Sequence, residues 1–218
     1  MKSFQENYTN NPIRTRVYKE LESAIISGDV APGTTLNEVK LSGEMGASRT
    51  PIREAIMQLE HAGLVETIPN RGAVVVGVTR NDIYDIYMIR TRIEGLAARR
   101  MAESATEEEI ASLKEVVELQ EFYLAKKDNL QVCQLDSRFH EMLYYSCRSR
   151  PLRQMLTLFL THIRKPREIS VKSGRAADST REHRKIVDAI EKHDPDLAEQ
   201  MMDEHVTNAR DYMLEWLK

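Results

Sequence analysis

The sequence predicts a mainly α chain in two parts: a small N-terminal unit of three helices and a β-hairpin, then an all-α antiparallel bundle of about six helices. Three observations predict it. Apolar residues recur at the helical period along most of the chain. Two β-rich runs, Leu64–Ile68 and Ala73–Val76, flank the turn-forming Pro69-Asn70-Arg71-Gly72. Beyond Thr79 the strand pattern disappears. With 218 residues the chain has room for two domains, and the boundary falls near Gly77-Val78-Thr79, giving units 1–78 and 79–218.

Residues 1–10 are polar and expected to be loose. Ile13, Val17, Leu21, Ile25 and Ile26 define a first helix from Pro12 to Ser27, stopped by Gly28. A turn at 29–33 leads to a second short helix over Asn37–Glu44, with Val39, Leu41 and Met45 expected to face inward. A third helix begins near Thr50 and ends at His61-Ala62-Gly63, where glycine supplies a C-terminal stop. The hairpin follows, so the unit reads as a winged helix-turn-helix. In the second part the spacing predicts helices near 80–102, 106–126, 129–147, 150–171, 177–193 and 195–217. Pro166 is expected to kink or stop the fourth of these.

No run approaches membrane-spanning length, and the N-terminus lacks an apolar leader. Cys133 and Cys147 show no paired spacing, which fits a reduced, cytoplasmic setting. The net charge is −3, and residues 1–78 carry 8 Lys/Arg against 9 Asp/Glu. A polyanion would therefore be bound by a few placed cations, not by bulk charge.

Those cations stand at the start of the third helix. In Gly46-Ala47-Ser48-Arg49-Thr50-Pro51, Ser48 is placed to cap the helix, and Pro51 suits a first turn whose N–H groups lack helical partners. Ile52, Ala55, Ile56 and Leu59 form the apolar stripe, so Arg49, Thr50 and Arg53 project oppositely. A short amphipathic helix with long cationic donors at its N-terminal end suits the major groove of double-stranded DNA. Arg71 and Gly72 at the hairpin tip can approach the minor groove or backbone. A single such unit has a small footprint, so a homodimer on an inverted-repeat operator is expected.

The second part carries a different constellation. Asp136 and His140, four apart, share a helix face. His183 and His205 each lie 11 residues from Asp194, where Asp194-Pro195 must turn the chain. Two antiparallel helices hinged there bring both to one height, about 16 Å from the turn. One carboxylate and three imidazoles suit a divalent transition metal (zinc, nickel, cobalt or manganese) with positions open for a ligand. His61, His162 and His193 join no such set, and Cys133 is read as packing. On the helix from 80, Ile83, Tyr87, Arg90, Glu94, Ala97 and Met101 form one stripe, placing two charges on an apolar face. Arg90 either pairs with Glu94 or reaches the metal cavity to hold an effector carboxylate.

Ser48 to Ala55 (SRTPIREA), Pro32 to Glu38 (PGTTLNE) and Gly63-Leu64-Val65 through Arg71-Gly72 resemble the DNA-binding domain of GntR-family transcription regulators. The helical part resembles the FCD effector domain of the FadR-like subfamily, with Asp-x-x-x-His followed by two later histidines. The resemblance covers about residues 12–218. It implies operator contacts by Arg49, Thr50 and Arg53, a wing tip at Arg71-Gly72, a dimerising helical domain and a small-acid effector. Two departures stand out: Leu41-Ser42-Gly43 replaces the usual Leu-Ala pair, and Met88 occupies a commonly acidic position. The functional expectation is a metal- and acid-responsive regulator. A metal-dependent hydrolase and a sensor of the ion alone are the alternatives.

Overall fold

The computed structural model describes residues 12–77 and 79–216; the polar 1–10 segment lies outside them. The chain divides into two compact units, 1–78 and 79–218.

In the first unit, α1 (Pro12–Ser27), α2 (Glu38–Glu44) and α3 (Arg49–His61) precede the hairpin β2 (Val65–Ile68) and β3 (Gly72–Val75). Val17, Leu21 and Ile25 of α1 meet Ile52, Ala55, Ile56 and Leu59 of α3, and Leu64, Val65 and Val75 close the core from the sheet. The periodicities therefore locate the core. A two-residue strand β1 (Thr35–Leu36), unforeseen in the sequence, pairs antiparallel with β3 and makes the sheet order β1-β3-β2. Two residues are too few to display a period of two.

Two local expectations need correction. Val39 does not face inward but is 64% exposed; α2 has no fully buried residue, and Leu41 and Met45 cover the core partially. Ser48 occupies the N-cap position of α3 but its side chain makes no capping hydrogen bond. The side-chain cap acts one helix earlier: Asn37 Oδ1 accepts from Val39 N at 2.9 Å and Lys40 N at 3.0 Å.

The second unit is helical: α4 (Arg80–Ser104), α5 (Glu107–Ala125), α6 (Asn129–Ser146), α7 (Arg150–Ser170), α8 (Ala176–Glu191) and α9 (Pro195–Trp216). Capping boxes open α4 and α5, where Thr79 and Thr106 exchange hydrogen bonds with Asp82 and Glu109. The longest packed pair is α4 against α9, and Gly95 permits it: a Cβ there would strike the Asp203 carboxylate and lie 3.1 Å from Glu199 Cγ. Pro166 does not end α7, which runs to Ser170. The interruption comes instead in a π-helical turn, Val171–Arg175, where Gly174 adopts φ 115° and joins α7 to α8. Such π turns gather at functional sites, and this one borders the histidine cluster.

Asn37→Ala removes two acceptor interactions from a seven-residue helix with little buried surface. It is expected to destabilise the winged unit by about 1 kcal/mol, read as a lowered urea midpoint at unchanged slope.

Candidate functional site

Helices α6, α8 and α9 bring three imidazoles together inside the second unit. His205 Nε2 lies 3.4 Å from His183 Nε2 and 3.3 Å from His140 Nε2, and ligand atoms of the three rings all fall within 4.8 Å of one another. None is more than 3% exposed. Phe139 stacks on His183 at 3.9 Å between centroids and fixes that ring's plane. Asp136 sits beside the trio rather than within it. Its Oδ1 is 3.8 Å from His183 Nε2 and accepts from Ser179 Oγ at 3.0 Å, while Oδ2 accepts from Arg167 Nε at 2.7 Å.

The second nitrogen of each ring decides what the first can do. His140 Nδ1 donates to Glu94 Oε2 at 3.1 Å, His183 Nδ1 to Gln120 Oε1 at 3.0 Å, and His205 Nδ1 to Glu182 Oε2 at 2.7 Å. These oxygens only accept, so each proton is assigned to Nδ1 and each Nε2 keeps a lone pair. Burial pushes the pKa values of His183 and His205 well below the ordinary 6.5, and that of His140 downward against the pull of Glu94. All three rings are held in the neutral, ligating form. Burial opposes ionisation of Asp136, yet the Arg167 guanidinium beside it holds its carboxyl below the usual range.

Of the two expectations for Arg90, the pairing with Glu94 is the one formed. Its Nε donates to Glu94, and its guanidinium lies 4.7 Å from the Tyr87 ring centroid. It also lines, with Asp136, His140, Arg167, Arg175 and His205, a cavity of about 20 Å³. Arg167 was missed by the sequence reading. Its Nη1 donates to Ser137 Oγ at 3.2 Å, but its buried Nη2 has no hydrogen-bond partner among the described residues. Leu152, Leu156, Ile163 and Arg167 share one stripe of α7, so the signal that marks Arg90, a cation on an apolar face, was present there too. Gln120, in line with Ile110, Leu113 and Val117, carries the same kind of signal.

In the first unit, Ser48, Arg49, Thr50 and Arg53 are exposed at the start of α3. Arg53 donates to Glu38 through Nε at 3.0 Å and Nη2 at 2.9 Å, and Arg49 Nη2 reaches the same carboxylate at 3.3 Å. At the wing, Ile68 pairs with Gly72, leaving Pro69, Asn70 and Arg71 as the tip. Asn70 at φ 64° and Gly72 at φ 77° make the reversal, and Arg71 is exposed.

A winged helix-turn-helix with exposed arginines on its third helix, joined to a helical unit holding a buried histidine cluster, is the architecture of a DNA-binding transcription regulator. Residues 13–75 match the bacterial regulatory proteins of the gntR family, and residues 85–208 match the FCD domain. The chain belongs to the GntR family of transcription regulators and carries an FCD domain. It is 30% identical to the uncharacterized HTH-type transcriptional regulator YdhC of Bacillus subtilis over 87% of this chain and 85% of that protein. It is 28% identical to the HTH-type transcriptional repressor RspR of Escherichia coli K12 over 89% and 86%. In fold it resembles E. coli McbR/YncC (TM-score 0.76, 19% identity, 94% of this chain and 99% of that one). A GntR regulator from Rhodococcus sp. RHA1 is similarly close (TM-score 0.71, 24% identity, 93% and 97%). YdhC and RspR are HTH-type transcription regulators, so the hydrolase alternative falls away. Among the described residues no helix is long and apolar enough to cross a membrane.

The depressed histidine pKa values set an acid limit on the metal-free protein. Unfolding releases imidazoles that protonate near pH 6.5, while the folded rings stay neutral, so the unfolded chain binds more protons below that pH. Between pH 7.5 and 5.5 stability should fall by about 1 kcal/mol for each ring that remains uncharged. Urea unfolding of chelator-treated protein at the two pH values measures it; a flat profile would contradict the neutral assignment.

Proposed function

We propose that operator binding by the winged unit is controlled at the histidine cluster. There one divalent transition ion (zinc, nickel, cobalt or manganese), held by His140, His183 and His205 with Asp136, receives a small carboxylate effector. The observation that carries this reading is the convergence of three Nε2 lone pairs. Neutral acceptors facing one another repel, whereas a cation among them is ligated. Metal–nitrogen bonds of about 2.0–2.1 Å at tetrahedral angles separate the nitrogens by roughly 3.3 Å, which agrees with the 3.3 and 3.4 Å separations here. Asp136 completes the set if it exchanges Arg167 for the ion.

That exchange frees a guanidinium which already has one unused donor, making Arg167 the strongest candidate to grip the effector's carboxylate, with Arg90 beside it. Glu94 and Arg90 belong to α4, the first helix after the winged unit, so a shift at His140 is transmitted to α4 through Glu94. A ligand that favours one position of α4 biases the disposition of two winged units in a homodimer. On the DNA side, Arg49, Thr50 and Arg53 read the major groove of an inverted repeat, with the Ser48 end of α3 near the phosphates. Arg71 and Gly72 reach the minor groove or backbone. A second reading, the ion alone as signal, is favoured by the cavity's 20 Å³, room for about one water or ion.

His183→Ala and His205→Ala are expected to lose stoichiometric metal, measured by elemental analysis after dialysis, while still binding a selected duplex. Arg167→Ala should keep the metal and lose any calorimetric response to a panel of small carboxylates. Because burial holds the folded rings neutral, metal affinity should persist through about pH 6.5 and weaken only at lower pH, where protons compete for the depressed imidazoles. Full metal content in both histidine variants would overturn the site. Metal-dependent duplex binding with no acid from the panel bound would select the ion-sensing reading.

Arg49→Ala and Arg53→Ala should each weaken binding to a selected duplex by about tenfold or more if each reads a base. Unchanged binding in both would remove α3 as the reading element.

A further inference from the structure

We propose that Glu38 is a specificity-determining residue of the DNA-reading face, holding one edge of the Arg53 guanidinium so that the opposite edge is presented to a guanine. The proposal rests on the reading of α3 as the groove-facing helix. Glu38 comes from a different helix, α2, and is oriented from the chain before it, because Asn37 caps that helix with its own side chain. Its side chain is 27% exposed, whereas the Arg49 and Arg53 side chains it holds are 61% and 60% exposed. The acceptor is thus the more shielded partner and the cations are the ones presented outward.

The hydrogen-bond geometry separates the two edges. Glu38 Oε1 takes Arg53 Nε and Oε2 takes one N–H of Nη2, the side edge of the fork. Nη1 and the second N–H of Nη2 form the terminal edge, which Glu38 does not use. That edge matches the O6 and N7 acceptors of guanine in the major groove. An arginine held at one edge arrives with its rotamers already restricted, so less entropy is lost when the base is bound. Arg49 Nη2 shares Oε2 at 3.3 Å, so the one carboxylate offsets charge from both arginines. Attraction to phosphate, which carries no sequence information, is reduced while guanine recognition is kept. Glu38 is pulled below the usual carboxylate range by its hydrogen bond with Arg53, so it stays ionised in this role.

The experiment selects sequences from a duplex library with a randomised core, using full-length protein, Arg53→Ala, Glu38→Gln and Glu38→Gln/Arg53→Ala. Affinity for one random-sequence duplex is followed across a salt series, and thermal unfolding checks each fold. Arg53→Ala should lose a guanine preference at symmetry-related positions. Glu38→Gln should relax that preference at the same positions by about tenfold. Its binding to the random duplex should hold or tighten, with a salt slope steeper by up to about one. In the Arg53→Ala background Glu38→Gln should change base preference no further. If Arg53→Ala loses the preference and Glu38→Gln retains it, the buttressing role is overturned and base reading by α3 stands. If Arg53→Ala retains every preference, the groove-reading assignment itself fails. Equal weakening on selected and random duplexes by Glu38→Gln, or loss of its fold, would reduce Glu38 to a structural residue and also overturn the proposal.

Discussion

Three imidazoles buried at the junction of α6, α8 and α9 must each place an Nδ1 proton on an acceptor, and the helical unit is arranged around that requirement. The acceptors come from elsewhere in the chain: Glu94 from α4, Gln120 from α5 and Glu182 from α8. Losing one of them would leave a buried donor unsatisfied, at a cost of about 1–3 kcal/mol. The positions of α4 and α5 against the cluster are therefore constrained by hydrogen bonding as well as by apolar packing. It is the occupied Nδ1 atoms that turn the three Nε2 lone pairs toward one another.

The acceptors need support of their own, and arginines provide it. Arg90 pairs with Glu94, and Arg175 donates to Glu182 at 2.6 Å, so His140 and His205 each stand on an arginine–carboxylate pair. Arg167 with Asp136 repeats the pattern beside His183, with the difference that this carboxylate faces Nε2 rather than Nδ1. In a low-dielectric interior each pair is costly to assemble, and removing one member costs about 3–5 kcal/mol because the other is left charged and alone. Such pairs contribute little net stability but fix geometry. Arg167 alone among the three retains an unpartnered buried donor, so the pair beside His183 is the one whose arrangement leaves room for exchange.

Much of this was legible in the sequence, for identifiable reasons. Asp136 and His140 are joined by one helical turn, and His183 and His205 by the symmetric distances to Asp194-Pro195, so simple helix geometry relates them. The hairpin and α3 were equally marked by Gly63, Pro69 to Gly72 and the stripe from Ile52 to Leu59. What escaped has physical reasons too. β1 is too short to show alternation, and it is held by pairing to β3, a partner distant in sequence. Val39 looked apolar and inward, but α2 lies at the rim of a small core that Leu41 and Met45 suffice to cover. Pro166 does not stop α7, which continues to Ser170, and the break in helical backbone falls at Gly174. The Arg167 and Gln120 partners depend on which helices become neighbours, information that periodicity within one helix does not hold.

The two units use the same pair of chemical groups in opposite surroundings. Around the histidines, arginine–carboxylate pairs are withdrawn from water, so their exchange is limited to a change that supplies a replacement charge. On α3, Arg49 and Arg53 meet Glu38 at the surface, where solvent screens the pair and a nucleic acid can add its own acceptors without first breaking it. A winged unit of nearly balanced charge gains little from the phosphate backbone at large. On the proposed reading, its occupancy of DNA then depends on alignment of a few fixed donors with base edges, and alignment across two winged units is what a shift of α4 alters. Weak bulk attraction makes the small displacement decisive, whereas a strongly basic unit would remain bound through non-specific contacts whatever the helical unit did.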